Sequence, residues 1–101
     1  MPFLYITEFA DLGLNPRGGV TAVPLLPASA GQRVTTSGTS AQSTNLAATT
    51  NLVRLISDAD CSVLVGTNPT ATIAAGLRLL AGQPEYFGVT LATTTKIAAI
   101  V

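Results

Sequence analysis

From residue 46 onward, the chain consists of short apolar runs that alternate with polar residues and are separated by turn signals. Val53 and Leu55 fall on one face of the first run, and Cys61, Val63 and Val65 fall on one face of the next. A period of two is typical of half-buried strands. Turn signals spaced roughly every 8–12 residues indicate two packed antiparallel sheets or a small barrel. The sequence therefore predicts an all-β fold with a small antiparallel β-sandwich or barrel-like body.

The connections between these runs carry further predictions. The turn-prone residues 57–60 join the first two runs, which we expect to pair as a hairpin. Residues 72–82 fit either a strand or a short helix, and Gly76 in their middle favours the strand. Two further runs close the chain, and their inward-facing residues are predicted to be Phe87, Val89 and Leu91, followed by Ile97, Ala99 and Val101.

The first third of the chain has a different character. Residues 12–20 contain Asn-Pro and Gly-Gly turn signals, and prolines follow at positions 24 and 27. Each proline removes a backbone donor and favours an extended predecessor. We predict an extended N-terminal arm over residues 1–32, with room for one short strand at 3–7, and a β-sandwich body over 33–101. Within that body, residues 33–45 are read either as a solvated edge strand with a bulge at Gly38 or as a flexible loop.

The charge balance limits the classes of function. Formal net charge is zero and only 10% of residues are charged, which argues against nucleic-acid binding because that requires a basic surface. Near-zero charge provides little self-repulsion and favours association. The N-terminus lacks a signal-peptide pattern, and no apolar run is long enough to predict a membrane span. We expect a protein made in the cytoplasm of the producing cell that works inside an assembly.

The sequence offers few residues for chemistry. It has no histidine, so it lacks the commonest general base and metal ligand, and its single cysteine has no disulfide partner within the chain. Cys61 begins an apolar alternation and is predicted to pack in the core. Asp58 and Asp60 could form a catalytic carboxylate pair, but the stronger interpretation is that both are solvated residues of a turn. We therefore predict no enzyme activity and no catalytic, cofactor-binding or metal-binding residues.

The remaining candidates are residues for contact with other subunits. Aromatic side chains cluster near the N-terminus, the arm contains apolar residues that need cover, and two arginines interrupt apolar strands. Burial of such groups against a partner would provide binding without a chemical site. The residues predicted to contact other subunits of an assembly are Phe3, Tyr5, Phe9, Val23, Leu25, Leu26, Arg54 and Arg78.

Three stretches carry a resemblance to a known group of proteins. The opening MPFLYITEFADLGLNPRGGVTAVP, the middle VRLISDADCSVLVGTNPTAT and the close LLAGQPEYFGVTLATTTKIAAIV resemble small proteins encoded among the virion genes of tailed bacteriophages. Such proteins look like capsid decoration, or cement, proteins, which are β-rich subunits on the outside of the head. The resemblance spans most of the chain but contains no chemical motif, so it assigns no residue a role.

The resemblance implies a function and a set of partners. We expect a non-enzymatic virion protein on the capsid exterior that stabilises the shell by bridging major capsid protein subunits. It would form a homo-oligomer, with a trimer favoured, and would bind neither nucleic acid nor membrane. The alternative is a structural or adhesin module associated with the tail or baseplate.

Overall fold

Strands make up the regular structure throughout the part of the chain that the computed structural model describes, namely residues 2–14, 20–24, 27–74, 76–89 and 94–101. No helix occurs among these residues. The strands in chain order are β1 Phe3–Phe9, β2 Leu12–Leu14, β3 Val20–Pro24, β4 Ala30–Thr35, β5 Ala41–Gln42, β6 Leu52–Ser57, β7 Cys61–Gly66, β8 Leu77–Leu79, β9 Glu85–Gly88 and β10 Lys96–Ile100.

Eight of these strands form two antiparallel sheets of four strands each. The first sheet has the order β4-β1-β6-β9, and the second has the order β5-β10-β7-β8. Strands β2 and β3 form a separate two-stranded sheet. The prediction of an all-β chain with antiparallel sheets is therefore confirmed.

The core lies between the inward-facing side chains of the two sheets. Leu4, Ile6 and Leu55 of the first sheet belong to one buried cluster with Val63 and Ile97 of the second. Alternation along each strand produces this arrangement, because every second side chain points to the same face. Of the predicted inward positions, six are buried and three more pack against the cluster, namely Val53, Leu55, Cys61, Val63, Ile97 and Ala99, then Phe87, Val89 and Val101. Val65, near the end of β7, is exposed, and Leu91 lies outside the described residues.

The predicted hairpin across residues 57–60 is wrong. Strand β6 pairs with β1 and β9, whereas β7 pairs with β10 and β8, so the turn crosses from one sheet to the other. Alternation alone cannot distinguish two strands side by side in one sheet from two strands facing each other across a core. Ser57 closes the crossing, because its hydroxyl donates to the Ala59 carbonyl at 2.6 Å and accepts from the Ala59 amide at 3.2 Å.

The structure assigns the two segments whose secondary structure the sequence left undecided, residues 33–45 and 72–82. Within residues 33–45, β4 continues to Thr35, a bend contains Gly38, and β5 occupies Ala41–Gln42. Within 72–82, Leu77–Leu79 form edge strand β8, in agreement with the favoured reading. The segment 67–74 lies along the outer side of the second sheet, where the Gln42 amide donates to the Pro69 carbonyl at 2.7 Å.

The N-terminal third contributes strands to the first sheet as well as to the separate hairpin. Strand β1 is an interior strand, paired with β4 on one side and β6 on the other. The boundary predicted between residues 32 and 33 falls inside β4. Strands β2 and β3 follow β1 and precede β4, so they extend the chain beyond the end of the β1–β4 pair. This β2–β3 hairpin is the portion of the predicted arm that lies outside both main sheets.

Candidate interaction surface

The outward face of the first sheet carries aromatic and arginine side chains. Along β1, Leu4 and Ile6 point into the core, so Phe3 and Tyr5 point away from it. Strand pairing places Arg33 of β4 beside Tyr5, and Ile56 of β6 on the other side of Tyr5. Tyr86 of β9 lies opposite Arg54 of β6. We call this surface the arginine–aromatic face, and its members are Phe3, Tyr5, Arg33, Arg54, Ile56 and Tyr86.

Ring contacts organise one end of this face. The Phe3 and Tyr5 ring centroids are 6.1 Å apart with the planes tilted by 56°, within the range of favourable aromatic pairs. The central guanidinium carbon of Arg33 lies 4.3 Å from the Phe3 centroid, which is a cation–π contact. Tyr5 is 38% exposed and Tyr86 is 50% exposed. The face therefore presents partly exposed aromatic rings to solvent, with the Arg33 guanidinium held against one of them.

The electrostatic character of this face is positive. Within the described part of the chain, neither Arg33 nor Arg54 forms an ion pair with a carboxylate. Arg33 is exposed and Arg54 is half-buried, so both keep their charge close to the surface. Phe, Tyr and Arg are the residue types enriched in the buried centres of protein interfaces. This composition makes the face a candidate interaction surface.

Three carboxylates gather at one end of the two sheets, which we call the acidic end, formed by Asp58, Asp60 and Glu85. The Asp58 carboxylate accepts a hydrogen bond from the Phe3 amide at 3.1 Å. The Asp60 carboxylate accepts one from the Ala81 amide at 2.8 Å. Glu85 is exposed and pairs in register with Leu55, two residues before the crossing turn begins. Each aspartate thus joins the crossing turn to another segment, the start of β1 or the connection after β8, and all three acidic residues are exposed.

A second exposed group is aliphatic and belongs to the second sheet and its loops. Leu64 and Val65 lie on β7, Leu77 on β8, and Ile73 and Leu80 in the adjoining connections. Ile73 is the most exposed of them at 64%. Gly76 lies against β7 and brings Leu77 back alongside Val63. These side chains form an apolar border along the β7–β8 edge.

Two side chains of β7 with nucleophilic groups, Cys61 and Ser62, are buried. Cys61 is a free cysteine with no exposed surface, in agreement with the predicted core role. Ser62 is buried, and its hydroxyl accepts from Arg78 at 3.1 Å and donates to the Ile73 carbonyl at 3.3 Å. No group of three metal-binding side chains occurs among the residues the structure describes. In the same part of the chain, no helix of membrane-spanning length and hydropathy is found.

The predicted contact residues fall in different places. Phe3, Tyr5 and Arg54 lie together on the arginine–aromatic face, whereas Arg78 lies on the outer side of the second sheet. Phe9 is only 4% exposed, so the chain itself already covers its ring. Val23 belongs to β3, and Leu25 and Leu26 lie outside the described residues.

Sequence reasoning missed Arg33, Ile56 and Tyr86 as members of the same surface. These residues are far apart along the chain, and only the strand order β4-β1-β6-β9 brings them together. Their outward alternation was readable in each strand separately, but the neighbours of each strand were not.

Comparison with known proteins adds no further assignment. No protein-family model, curated protein or solved structure matches the chain.

Proposed function

We propose that the protein is a non-enzymatic virion structural protein that decorates a phage capsid. It sits on the capsid exterior after synthesis in the host cytoplasm, and it stabilises the shell by bridging major capsid protein subunits. Its copies assemble with one another, with a trimer favoured. The finer architecture that we propose is a β-sandwich body with an N-terminal extension, in which the β2–β3 hairpin is the part that reaches a neighbour. The support is the resemblance in three stretches of sequence, together with the features below.

The β2–β3 hairpin is the observation that carries this proposal. Its two strands pair with each other and, among the described residues, with no strand of the main sheets. A two-stranded hairpin alone is marginally stable in water. The segment nevertheless contains apolar residues at Leu12, Leu14, Val20 and Val23. An apolar hairpin outside the main sheets is suited to pairing with or packing on another subunit.

The dimensions of the molecule fit a bridging role. It extends 47 Å along its longest axis, compared with 28 and 21 Å along the other two. Burial of several hundred Å² of apolar surface per contact, at about 25 cal/mol per Å², is a gross gain of roughly 10 kcal/mol before the entropy losses of association. A shell presents many equivalent sites, so a modest contact repeated over the lattice produces a large total effect.

The first prediction concerns the β2–β3 hairpin. Replacement of residues 11–27 by Asn-Gly should connect β1 to β4 through a two-residue turn, because Glu8 pairs with Ala30 in register. We expect this variant to keep its strand-type circular dichroism and its cooperative unfolding, since both main sheets are retained. It should no longer co-sediment with undecorated heads of the phage whose genome encodes the chain, whereas the unaltered chain should.

The matched control is a change in another connection. Insertion of Gly-Ser after Gly82, in the exposed turn between β8 and β9, alters loop length without touching the hairpin. This control should bind heads as the unaltered chain does. Normal binding by the hairpin-replaced variant would refute the role proposed for β2–β3.

Location on the particle distinguishes the main proposal from its alternative. The exposed rings of Tyr5 and Tyr86 are the feature that favours a tail or baseplate adhesin, since exposed aromatic rings can form a sugar-binding platform. Gold-labelled antibody should cover the whole head if the protein decorates the capsid. Label confined to one vertex would favour the alternative, and particles without label would contradict both.

A further inference from the structure

We infer that the arginine–aromatic face binds the acidic end of a second copy of this chain. This inference identifies the surfaces used in the proposed assembly of copies. It requires only the purified chain, so it can fail while the capsid proposal stands, and the reverse is equally possible.

Charge complementarity identifies the occupant. The face presents Arg33 and Arg54, and neither has a carboxylate partner among the described residues. The acidic end presents Asp58, Asp60 and Glu85 as exposed carboxylates. The chain as a whole is neutral, with five basic and five acidic residues. The arginines of the face and the exposed carboxylates of the acidic end thus belong to one neutral molecule, and contact between two copies would pair them without adding net charge.

The geometry favours contact between copies over contact within one chain. Arg54 lies opposite Tyr86, and Glu85 is the residue that precedes Tyr86 on β9. Successive side chains point to opposite faces of a strand. Glu85 therefore points away from the face that Arg54 occupies. Asp58 and Asp60 are held in their turns by the amides of Phe3 and Ala81. These bonds fix the positions of the two aspartates, and all three acidic residues stay exposed to a neighbour.

The aromatic rings would provide the apolar part of the contact. Tyr5 and Tyr86 are exposed, and Phe3 is half-buried under the Arg33 guanidinium. Rigid aromatic rings bury a large area with little loss of conformational entropy, which is why Tyr and Arg dominate binding hot spots. The arginines would then set the orientation of the contact, because a bidentate arginine–carboxylate pair has strict geometry.

The symmetry of such a contact follows from the surfaces involved. A face on one copy binds an end on the next, so the two sides differ and the interface is heterologous. Heterologous contacts close into rings when the rotation between copies allows it. A cyclic assembly, including the trimer favoured above, is therefore compatible with this contact. In a two-fold dimer built from the same two surfaces, the face of each copy would bind the end of the other, so the contact would occur twice.

Charge reversal tests the contact. Arg33→Glu with Arg54→Glu places carboxylates on the face, and Asp60→Lys with Glu85→Lys places cations at the acidic end. By sedimentation velocity, the unaltered chain should associate. Each double variant should have a dissociation constant for self-association that is at least about tenfold higher. A mixture of the two double variants should associate again, because the reversed face matches the reversed end. Association of the unaltered chain should also weaken from 0.05 to 0.5 M NaCl, since salt screens exposed charges.

The matched control reverses the same number of cations elsewhere. Arg78→Glu with Lys96→Glu changes the net charge equally, but both residues belong to the second sheet. This control should associate like the unaltered chain. Circular dichroism checks the folding of every variant, and the exposed single changes Arg33→Glu and Glu85→Lys replace the double changes if either double variant unfolds.

Several results would overturn the inference. A chain that remains monomeric at all concentrations in low salt has no such contact, even if its face binds a capsid protein. Association that survives both double variants would place the interface elsewhere, for example on the apolar border along the β7–β8 edge. Failure of the mixed variants to associate, while each is folded, would also reject the pairing of these two surfaces.

Discussion

At the scale of single residues, backbone conformation matters most at the two glycines with positive φ. Gly76 has φ of +90° and Gly82 has φ of +74°. A Cβ at Gly76 would clash with the Val63 carbonyl oxygen, whereas a Cβ at Gly82 would meet no atom within 4 Å. Gly76 therefore needs glycine for both conformation and space, because the chain entering β8 runs against the β7 backbone. Gly82 needs it for conformation alone.

The two glycines provide a paired prediction. Gly82→Ala should lower the free energy of unfolding by about 1 kcal/mol, the usual effect of a side chain at positive φ. Gly76→Ala should lower it by about 3 kcal/mol, because β7 and β8 must also separate to admit the methyl group. Urea denaturation monitored by circular dichroism measures both values. Equal effects of the two changes would contradict the close approach of Gly76 to β7.

At the scale of elements, a buried carboxylate connects a strand to a distant loop. Glu8 of β1 points inward and is only 3% exposed. One of its oxygens accepts hydrogen bonds from the Ala47 amide at 2.8 Å and the Thr50 hydroxyl at 2.7 Å. The loop that leads into β6 is thereby attached to the end of β1. Sequence reasoning gave Glu8 no role, since its two partners lie about forty residues away.

Removal of this connection should destabilise the fold. Glu8→Ala leaves the Ala47 amide and the Thr50 hydroxyl without their acceptor, and we expect a loss of about 2–3 kcal/mol in the free energy of unfolding. Glu8→Gln retains an acceptor oxygen and should lose about 1 kcal/mol or less. Thr50→Val in the Glu8→Ala background should add little further loss. Additive losses in a denaturation-based double-mutant cycle would show that the two side chains do not interact.

The crossing between β6 and β7 is a second feature that belongs to the element scale. The strand at 52–57 and the strand at 61–66 were each predictable, because apolar residues recur at every second position. Their partners were not predictable, since long-range strand pairing depends on which edges are free once the whole chain has collapsed. The crossing turn places Asp58 and Asp60 at the end of the molecule, beside Phe3 and Ala81.

At the scale of the whole molecule, one core joins both sheets. Cys61 belongs to this core together with residues of the first sheet, and it has no exposed surface. Its thiol can meet a reagent only when the two sheets separate. For a small domain that unfolds as one unit, that event is global unfolding.

Thiol labelling should therefore report global stability. We expect Cys61 to react with an aromatic disulfide reagent at a rate that rises in urea in parallel with the unfolded fraction measured by circular dichroism. The Gly76→Ala variant should be labelled faster than the unaltered chain under native conditions, by about tenfold for each 1.4 kcal/mol of stability that it loses. Rapid labelling of the unaltered chain without denaturant would contradict the burial of Cys61.

The amino-acid sequence alone determined the all-β character, most of the inward-facing apolar residues and the core position of Cys61, because these depend on local alternation of apolar and polar side chains. It also determined the neutral charge and the lack of histidine. Only the tertiary structure decided which strands are neighbours, and this decision assembled Phe3, Tyr5, Arg33, Arg54 and Tyr86 into one face from four separate strands. Strand pairing acts between residues distant in the chain, so a local pattern can predict each strand but not the surface that the strands build together.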